Sequence, residues 1–160
     1  MRRRFIPGVD ETVLFPIEEM HLEGDGVLGA EAYQVMYVLI RRRGYFTLQE
    51  ANRRIKDAPP AVWKDGEPIR PIHHSVLKGQ RGGKPLADQR IRYTAAETHK
   101  FAFASVLLFD ELIPSDEPVW ECWKVHVAYL QIMLQSSFTS SDVILLDKLI
   151  YDHQRMYNEV

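Results

Sequence analysis

The chain has 160 residues, of which 46% are hydrophobic and 26% charged, and its net charge is -2. This length and composition are typical of a single globular domain with one core, and the charge gives no overall positive field for nucleic acid. The lone cysteine, Cys122, excludes an internal disulfide and a multi-cysteine zinc site and fits a reducing compartment. The longest apolar run, residues 35–40, is far too short to span a bilayer, so we expect no membrane insertion.

The sequence predicts a mainly α fold with a short N-terminal strand at residues 12–15, ended by Pro16. Apolar residues recur at helical spacing in five later segments, and Thr-x-x-Glu or Thr-x-x-Asp sequences at 47–50, 94–97 and 139–142 resemble capping boxes. Gly44 is a natural helix end. The predicted helices lie near residues 27–43, 47–57, 94–112, 117–136 and 140–158. The short connection before the last helix favours an antiparallel hairpin.

Two rows of residues with 3-4-3-4 spacing lie in the last two helices. The first row begins at Trp120 and Trp123, which we expect to be buried core residues and not a platform for stacking bases. The second row runs from Val143 through His153 to Tyr157 and predicts an apolar face on the last helix.

Residues 58–92 contain many prolines and glycines and predict a long, irregular, flexible basic loop within the single helical domain. Two interpretations remain open for it, a solvated excursion and a contact surface for nucleic acid. The candidate nucleic-acid-binding residues are Arg70, Lys78, Arg81, Lys84, Arg90 and Arg92.

Residues 15–26 hold the one place where acids, an imidazole and glycines crowd together ahead of an apolar segment. Glu18 and His21 are three positions apart, so one helical turn brings both side chains to one side. An acidic loop that caps the next helix is the alternative explanation of this segment. A local cluster of this kind is a weak metal motif, so we predict no metal ligands in this chain. His99 and His126 are expected to be ordinary, partly buried histidines, and Cys122 has no local arrangement that would make it a nucleophile.

Residues 15–26 read Phe-Pro-Ile-Glu-Glu-Met-His-Leu-Glu-Gly-Asp-Gly, and an apolar helix, Gly-Tyr-Phe-Thr-Leu and an Asn-Arg-Arg-Ile helix follow them. Further on come Pro-Ser-Asp-Glu-Pro-Val-Trp at 114–120 and Leu-Asp-Lys-Leu-Ile-Tyr-Asp-His at 146–153. This ordered series resembles the transposases of CACTA-type DNA transposons and their relatives, which often read Pro-Pro-Asp-x-Met-His-Asp-Leu-Leu-Glu-Gly at its first point. The likeness spans roughly residues 12–160, with 57–92 poorly matched.

The resemblance implies roles for two residues of the first motif. With the Met-His pair aligned, the family's aspartate falls on Glu18, its histidine on His21, and its Glu-Gly on Asp25 and Gly26. Glu18 and His21 would then be accessory catalytic residues beside the scissile strand, with His21 positioning phosphate. Glutamate in place of the usual aspartate keeps the charge and moves it outward by about one methylene.

The resemblance also implies a ribonuclease-H-like catalytic core in which three acids hold two Mg or Mn ions for attack on a phosphodiester. The family's first acid would precede residue 1 and its last acid would follow the final helix, so the chain would be the helical insertion with an edge of the core. Alone it would be inactive and hold no cofactor. The implied partners are transposon DNA, bound weakly, the remainder of the core and a second copy, and the implied location is the nucleus.

A free-standing helical protein-interaction module without catalytic activity is the alternative. In that case, ion pairs between basic residues of the 58–92 stretch in one chain and acidic residues of the last two helices in another would hold the chains together.

Overall fold

The computed structural model describes residues 26–63, 67–78 and 89–159. Within these ranges the fold consists of five α-helices and no β-strand, so the predicted mainly α fold is confirmed. The helices are α1 (Leu28–Tyr37), α2 (Leu48–Asp57), α3 (Ala95–Phe109), α4 (Pro118–Met133) and α5 (Ser140–Glu159). A π-helix, Val38–Arg43, extends α1, and 3-10 turns occupy Pro60–Val62, His74–Lys78 and Asp110–Leu112. The predicted strand at 12–15 lies outside the described residues.

The helix ends follow the signals in the sequence. Thr47, Thr94 and Thr139 each accept a hydrogen bond at the side-chain hydroxyl from the backbone N–H three residues later, which satisfies one orphan donor of each first turn. Gly44 follows the π-helix with a φ of 69°. A residue with a side chain is strained in this left-handed region, so glycine suits the helix end.

The core lies where α1 packs against α3 and α4. Trp120 and Trp123 are fully buried, as predicted, and the indole N–H of Trp123 donates to Ser105 Oγ at 2.9 Å. The helix α5 packs along α4, and Cys122 near the start of α4 contacts His153 in the second half of α5. This contact shows that the two helices run antiparallel. None of the helices in the described ranges is both long and apolar enough to cross a membrane.

The helix α5 buries little of the apolar face that the sequence predicts. His153 is its one buried residue, whereas Val143 and Tyr157 are 56% and 44% exposed. Ile144 and Tyr151 are more exposed still, at 73% and 67%. The reason is that α5 is held mainly by α4 along one side, so its other sides face solvent.

The 58–92 stretch is irregular, as predicted, but its described parts are packed onto the helices. Its buried apolar residues are Trp63, Ile69, Ile72, Val76 and Ile91. The Asn52 side chain on α2 both donates to the carbonyl of Ile72 and accepts from its N–H, at 3.1 and 2.7 Å. The Tyr33 hydroxyl on α1 donates to the carbonyl of Ser75 at 3.1 Å. These contacts fix the path of residues 67–78 against α1 and α2.

Candidate functional site

A glutamate lies in the core at the first turn of α1. Glu31 is 3% exposed and shares the buried side of the helix with Leu28, Ala32 and Val35. The three- and four-residue spacing from Leu28 and to Val35 places its side chain on the apolar stripe. A buried carboxylate is costly unless other groups hydrogen-bond to it, so its partners determine what this position is for.

Two histidines from different helices contact the Glu31 carboxylate. Nδ1 of His126, on α4, lies 2.7 Å from Oε2 of Glu31. Nε2 of His153, on α5, lies 3.0 Å from the same oxygen and 3.1 Å from Oε1. The two imidazole rings meet edge to face, with their centroids 4.7 Å apart. One carboxylate therefore connects three helices.

Cys122 completes a group that we call the Glu31 cluster: Glu31, Cys122, His126 and His153. The Sγ atom of Cys122 lies 3.9 Å from the carbonyl oxygen of His153 and is buried. One ligand atom each of Glu31, Cys122 and His153 lies within 4.8 Å of the other two. Oxygen, sulfur and nitrogen ligands thus converge on one point between α1, α4 and α5.

Burial and pairing set the charge states in the Glu31 cluster. Burial acts to raise the pKa of Glu31, but hydrogen bonds from His126 and His153 outweigh it, so the pKa lies below its ordinary value. Burial, together with the nearby Glu31 charge, raises the pKa of the Cys122 thiol to about 12. The carboxylate is therefore ionised at neutral pH, while the thiol is protonated and is not a nucleophile.

Aromatic rings surround the Glu31 cluster, and an open cleft lies beside it. Tyr129 stacks on His126 with ring centroids 4.5 Å apart, and Trp123 meets the same imidazole edge-on at 5.7 Å. The cleft has a volume of about 440 Å³, and its lining includes His153, Tyr129 and Tyr157. His153 therefore belongs both to the buried cluster and to a surface that small molecules and water reach. The arrangement is suited to holding a ligand or a metal, and it contains no activated nucleophile.

None of the catalytic and nucleic-acid-binding residues predicted from the sequence belongs to the Glu31 cluster. Glu18 and His21 are outside the described residues, and so are Arg81 and Lys84. Among the other candidate nucleic-acid-binding residues, Lys78, Arg90 and Arg92 are exposed. They lie on the described parts of the 58–92 stretch, whereas the Glu31 cluster lies between α1, α4 and α5.

Arg70, the remaining candidate, is committed to a pairing within the protein. Its guanidinium donates to both carboxylate oxygens of Glu97 at 2.6 and 2.7 Å and to the backbone carbonyl of Arg92 at 3.2 Å. A bidentate arginine–carboxylate pair occupies the same donors that would bind a phosphate. Arg70 therefore contributes less to a basic surface than its position in the sequence suggests.

No local pattern in the sequence predicts the Glu31 cluster. His126 is fully buried and not partly buried as expected, and neither Glu31 nor the environment of Cys122 is marked by a motif. One signal was available: Glu31 is an acid on an apolar stripe, and His153 falls on the apolar row of the last helix. The convergence of these residues depends on how α1, α4 and α5 pack, which no local pattern specifies.

No family model, curated protein or solved structure gives a significant match to this chain. The likeness to CACTA-type transposases therefore rests on the motifs quoted from the sequence.

Proposed function

We propose that this chain is the helical insertion, with an edge of the catalytic core, of a transposase related to those of CACTA-type transposons. The observation that carries the proposal is the ordered series of motifs from residue 15 to residue 153. The mainly helical fold agrees with the helical insertion that this likeness implies.

Two of these motifs supply residues that hold the helices together. In residues 114–120, Glu117 caps the start of α4 and Trp120 enters the core. In residues 146–153, His153 reaches from α5 to Glu31 on α1. Glu117, Trp120 and His153 thus belong to the motifs and also hold the helices together. A protein that shares these motifs would need the same residue types for the same packing, which supports a shared helical arrangement.

In this proposal the chain supports metal-dependent cleavage and strand transfer of transposon DNA by a larger protein in the nucleus. Mg or Mn ions would bind to acids supplied mainly outside residues 1–160, with Glu18 and His21 placed beside the scissile strand. The chain would pack against the remainder of the transposase core. Its own DNA binding would be weak, since its net charge is -2 and Arg70 is paired with Glu97.

The experiment compares the 160-residue chain with a longer protein that includes the flanking coding sequence. Each is incubated with Mg or Mn and a nicked or hairpin DNA, and cleavage is followed on a gel. We expect cleavage by the longer protein alone, and a loss of that activity on Glu18→Ala or His21→Ala. The control is Glu67→Ala, an exposed acid that lies outside the motifs.

Two results would contradict the proposal. One is flanking sequence without carboxylates in a ribonuclease-H-like strand pattern. The other is metal-dependent cleavage by the 160-residue chain that both Glu18→Ala and His21→Ala abolish, since this would mean that the chain holds a complete active site.

The second candidate is a helical protein-interaction module whose partner is a second copy of the chain. The exposed apolar residues Ile144 and Tyr151 on α5 favour it, because they leave an apolar strip that another α5 would cover. Sedimentation velocity over a range of concentrations tests this candidate. A dimer that Ile144→Glu disperses and Glu159→Gln preserves would support the module, and a monomer at every concentration would exclude it.

A further inference from the structure

Three side chains with different ligand atoms face one another in the interior of the helical fold. Glu31 comes from α1, Cys122 from α4 and His153 from α5, and all three are buried. From this geometry we infer that the Glu31 cluster is a zinc-binding site that joins the three helices. The inference concerns residues 31–153 alone and does not depend on the proposed transposase function.

The types of ligand atom select zinc over the ions that a transposase core would use. Mg and Mn prefer sets of oxygen ligands, whereas a thiolate sulfur and an imidazole nitrogen are ligands that zinc accepts readily. A buried site with one oxygen, one nitrogen and one sulfur ligand therefore suits Zn²⁺ better than Mg²⁺. The sequence predicts no metal ligands because these three residues are far apart along the chain and form no local motif.

The distances are close to those that four-coordinate zinc needs. Zinc–ligand bonds of 2.0–2.3 Å place neighbouring ligand atoms roughly 3.3–3.8 Å apart. The separations of Glu31 Oε1 and Oε2 from His153 Nε2 are 3.1 and 3.0 Å, and the whole set lies within 4.8 Å. The widest separation exceeds the longest of these spacings by at most about 1 Å, which a small side-chain rotation can close.

His126 is the positioning residue of this site. Its Nδ1 atom holds Oε2 of Glu31 at 2.7 Å, and its ring is fixed between Tyr129 and Trp123. A carboxylate that ligates a metal is commonly oriented by such a hydrogen bond. Water from the cleft that His153 lines would complete the four ligands, as in zinc sites with three protein ligands.

Zinc binding changes the protonation of two ligands. The Cys122 thiol releases its proton to solvent and binds as a thiolate. His153 releases to solvent the Nε2 proton that it donates to Glu31, carries its one remaining ring proton on Nδ1, and binds through the Nε2 lone pair. The hydrogen bond between His153 and Glu31 is then replaced by two bonds to the metal.

The experiment uses the untagged, reduced 160-residue chain after treatment with a chelator. Zinc is titrated in competition with a chromophoric chelator, and Co²⁺ is added in parallel because it reports its ligands by absorption. We expect about one zinc ion per chain and a thiolate-to-cobalt charge-transfer band in the near ultraviolet. Cys122→Ser should remove the band, and His126→Gln should weaken zinc binding by roughly 10–100-fold, as loss of a positioning residue does.

The matched control is the double variant His73→Gln, His74→Gln. These adjacent imidazoles are exposed, with ring centroids 4.1 Å apart, and would bind metal adventitiously at the surface. Retention of the cobalt band and of zinc affinity in this variant supports the proposal. The absence of a thiolate–cobalt band in the wild type overturns the proposed zinc site, whether or not the variants fold. Loss of zinc binding in the double variant also overturns it, because the zinc would then bind to the surface histidines.

Discussion

The protein buries two glutamates to the same degree and surrounds them with different partners. Glu31 and Glu117 are each 3% exposed. Glu117 precedes α4, where it accepts a hydrogen bond from the Tyr45 hydroxyl at 2.6 Å and pairs with the Arg43 guanidinium at 3.1 Å. Its other oxygen faces the backbone N–H of Val119 at 3.5 Å. These contacts hold the end of the first helical segment against the start of α4.

The partners of Glu31 are of another kind. Arginine keeps its charge at any ordinary pH, whereas imidazole and thiol groups exchange protons and bind metals. Arg43 is also half exposed, while His126 is completely buried. Burial alone does not identify a functional acid, since Glu31 and Glu117 are buried to the same degree. The chemistry of the partners separates a residue that joins two segments from one that belongs to a candidate metal site.

Packing beside the Glu31 cluster should matter more than either acid. Trp123 is completely buried between Phe101 and His126, and Trp123→Ala should lower the free energy of unfolding by about 3–5 kcal/mol. Urea denaturation measures the loss. Leu107→Ala, at an exposed position on α3, is the control and should change stability by less than about 0.5 kcal/mol. Equal stability of Trp123→Ala and the wild type would show that the core lies elsewhere.

Zinc should distinguish the two acids directly. With free zinc at about 100 times its dissociation constant, the wild type should gain about 2.7 kcal/mol in free energy of unfolding. Glu117→Gln should keep this gain, and Glu31→Gln should lose most of it, because only Glu31 lies with Cys122 and His153. Thermal unfolding with and without zinc measures both. An equal response of the two variants to zinc would contradict a zinc site at Glu31.

The sequence specified the helices of this protein much better than its candidate site. The capping residues Thr47 and Thr94, the left-handed Gly44 and the buried residues Trp120 and Trp123 are local signals, and each has the predicted structural role. Such signals suffice because a helix end depends on residues three or four positions apart. The five helices therefore follow from the sequence.

The Glu31 cluster could not be predicted in the same way. Its members are separated by up to 122 residues, and their meeting depends on the packing of three helices. The apolar row of α5 is a second feature that the sequence predicts only in part. Helical periodicity indicates which residues share one side of the helix, but not whether another helix covers that side. Arg70 gives a third case, since its partner Glu97 lies 27 residues away and converts a candidate phosphate ligand into an internal ion pair.

Without zinc, the two acids should still differ in their contribution to stability. Glu31→Gln leaves fully buried His126 with a weaker, neutral partner, so we expect a loss of about 1–3 kcal/mol. Glu117→Gln should cost less, about 0.5–1.5 kcal/mol, because half-exposed Arg43 regains water. Urea denaturation in the presence of a chelator measures both values. The reverse order would indicate that Arg43 and Tyr45 depend on the Glu117 charge more than the histidines depend on Glu31.

A third acid, Glu97, extends the comparison to the protein surface. It caps α3 through Thr94 and pairs with Arg70, whose side chain is 63% exposed. The Arg70 hydrogen bonds, opposed by partial burial and assisted by Thr94, lower the pKa of Glu97 to about 2. We expect Glu97→Gln to lower the free energy of unfolding by about 1 kcal/mol at pH 7, since one cap and one exposed ion pair are weakened.

The pH dependence of this effect has a definite sign. The folded-state pKa of Glu97, about 2, lies below the ordinary value of 4.5, so the ionised carboxylate stabilises the fold fully above pH 4.5. That contribution declines as the pH falls through the interval from 4.5 to 2, because the unfolded chain binds the proton first. The stability difference between wild type and Glu97→Gln should therefore shrink across that interval, measured by urea denaturation at several pH values. Asp147→Asn, at an exposed position on α5, should produce no such narrowing. A difference that stays constant down to pH 2 would mean that the carboxylate charge does not contribute to the cap or to the pairing with Arg70.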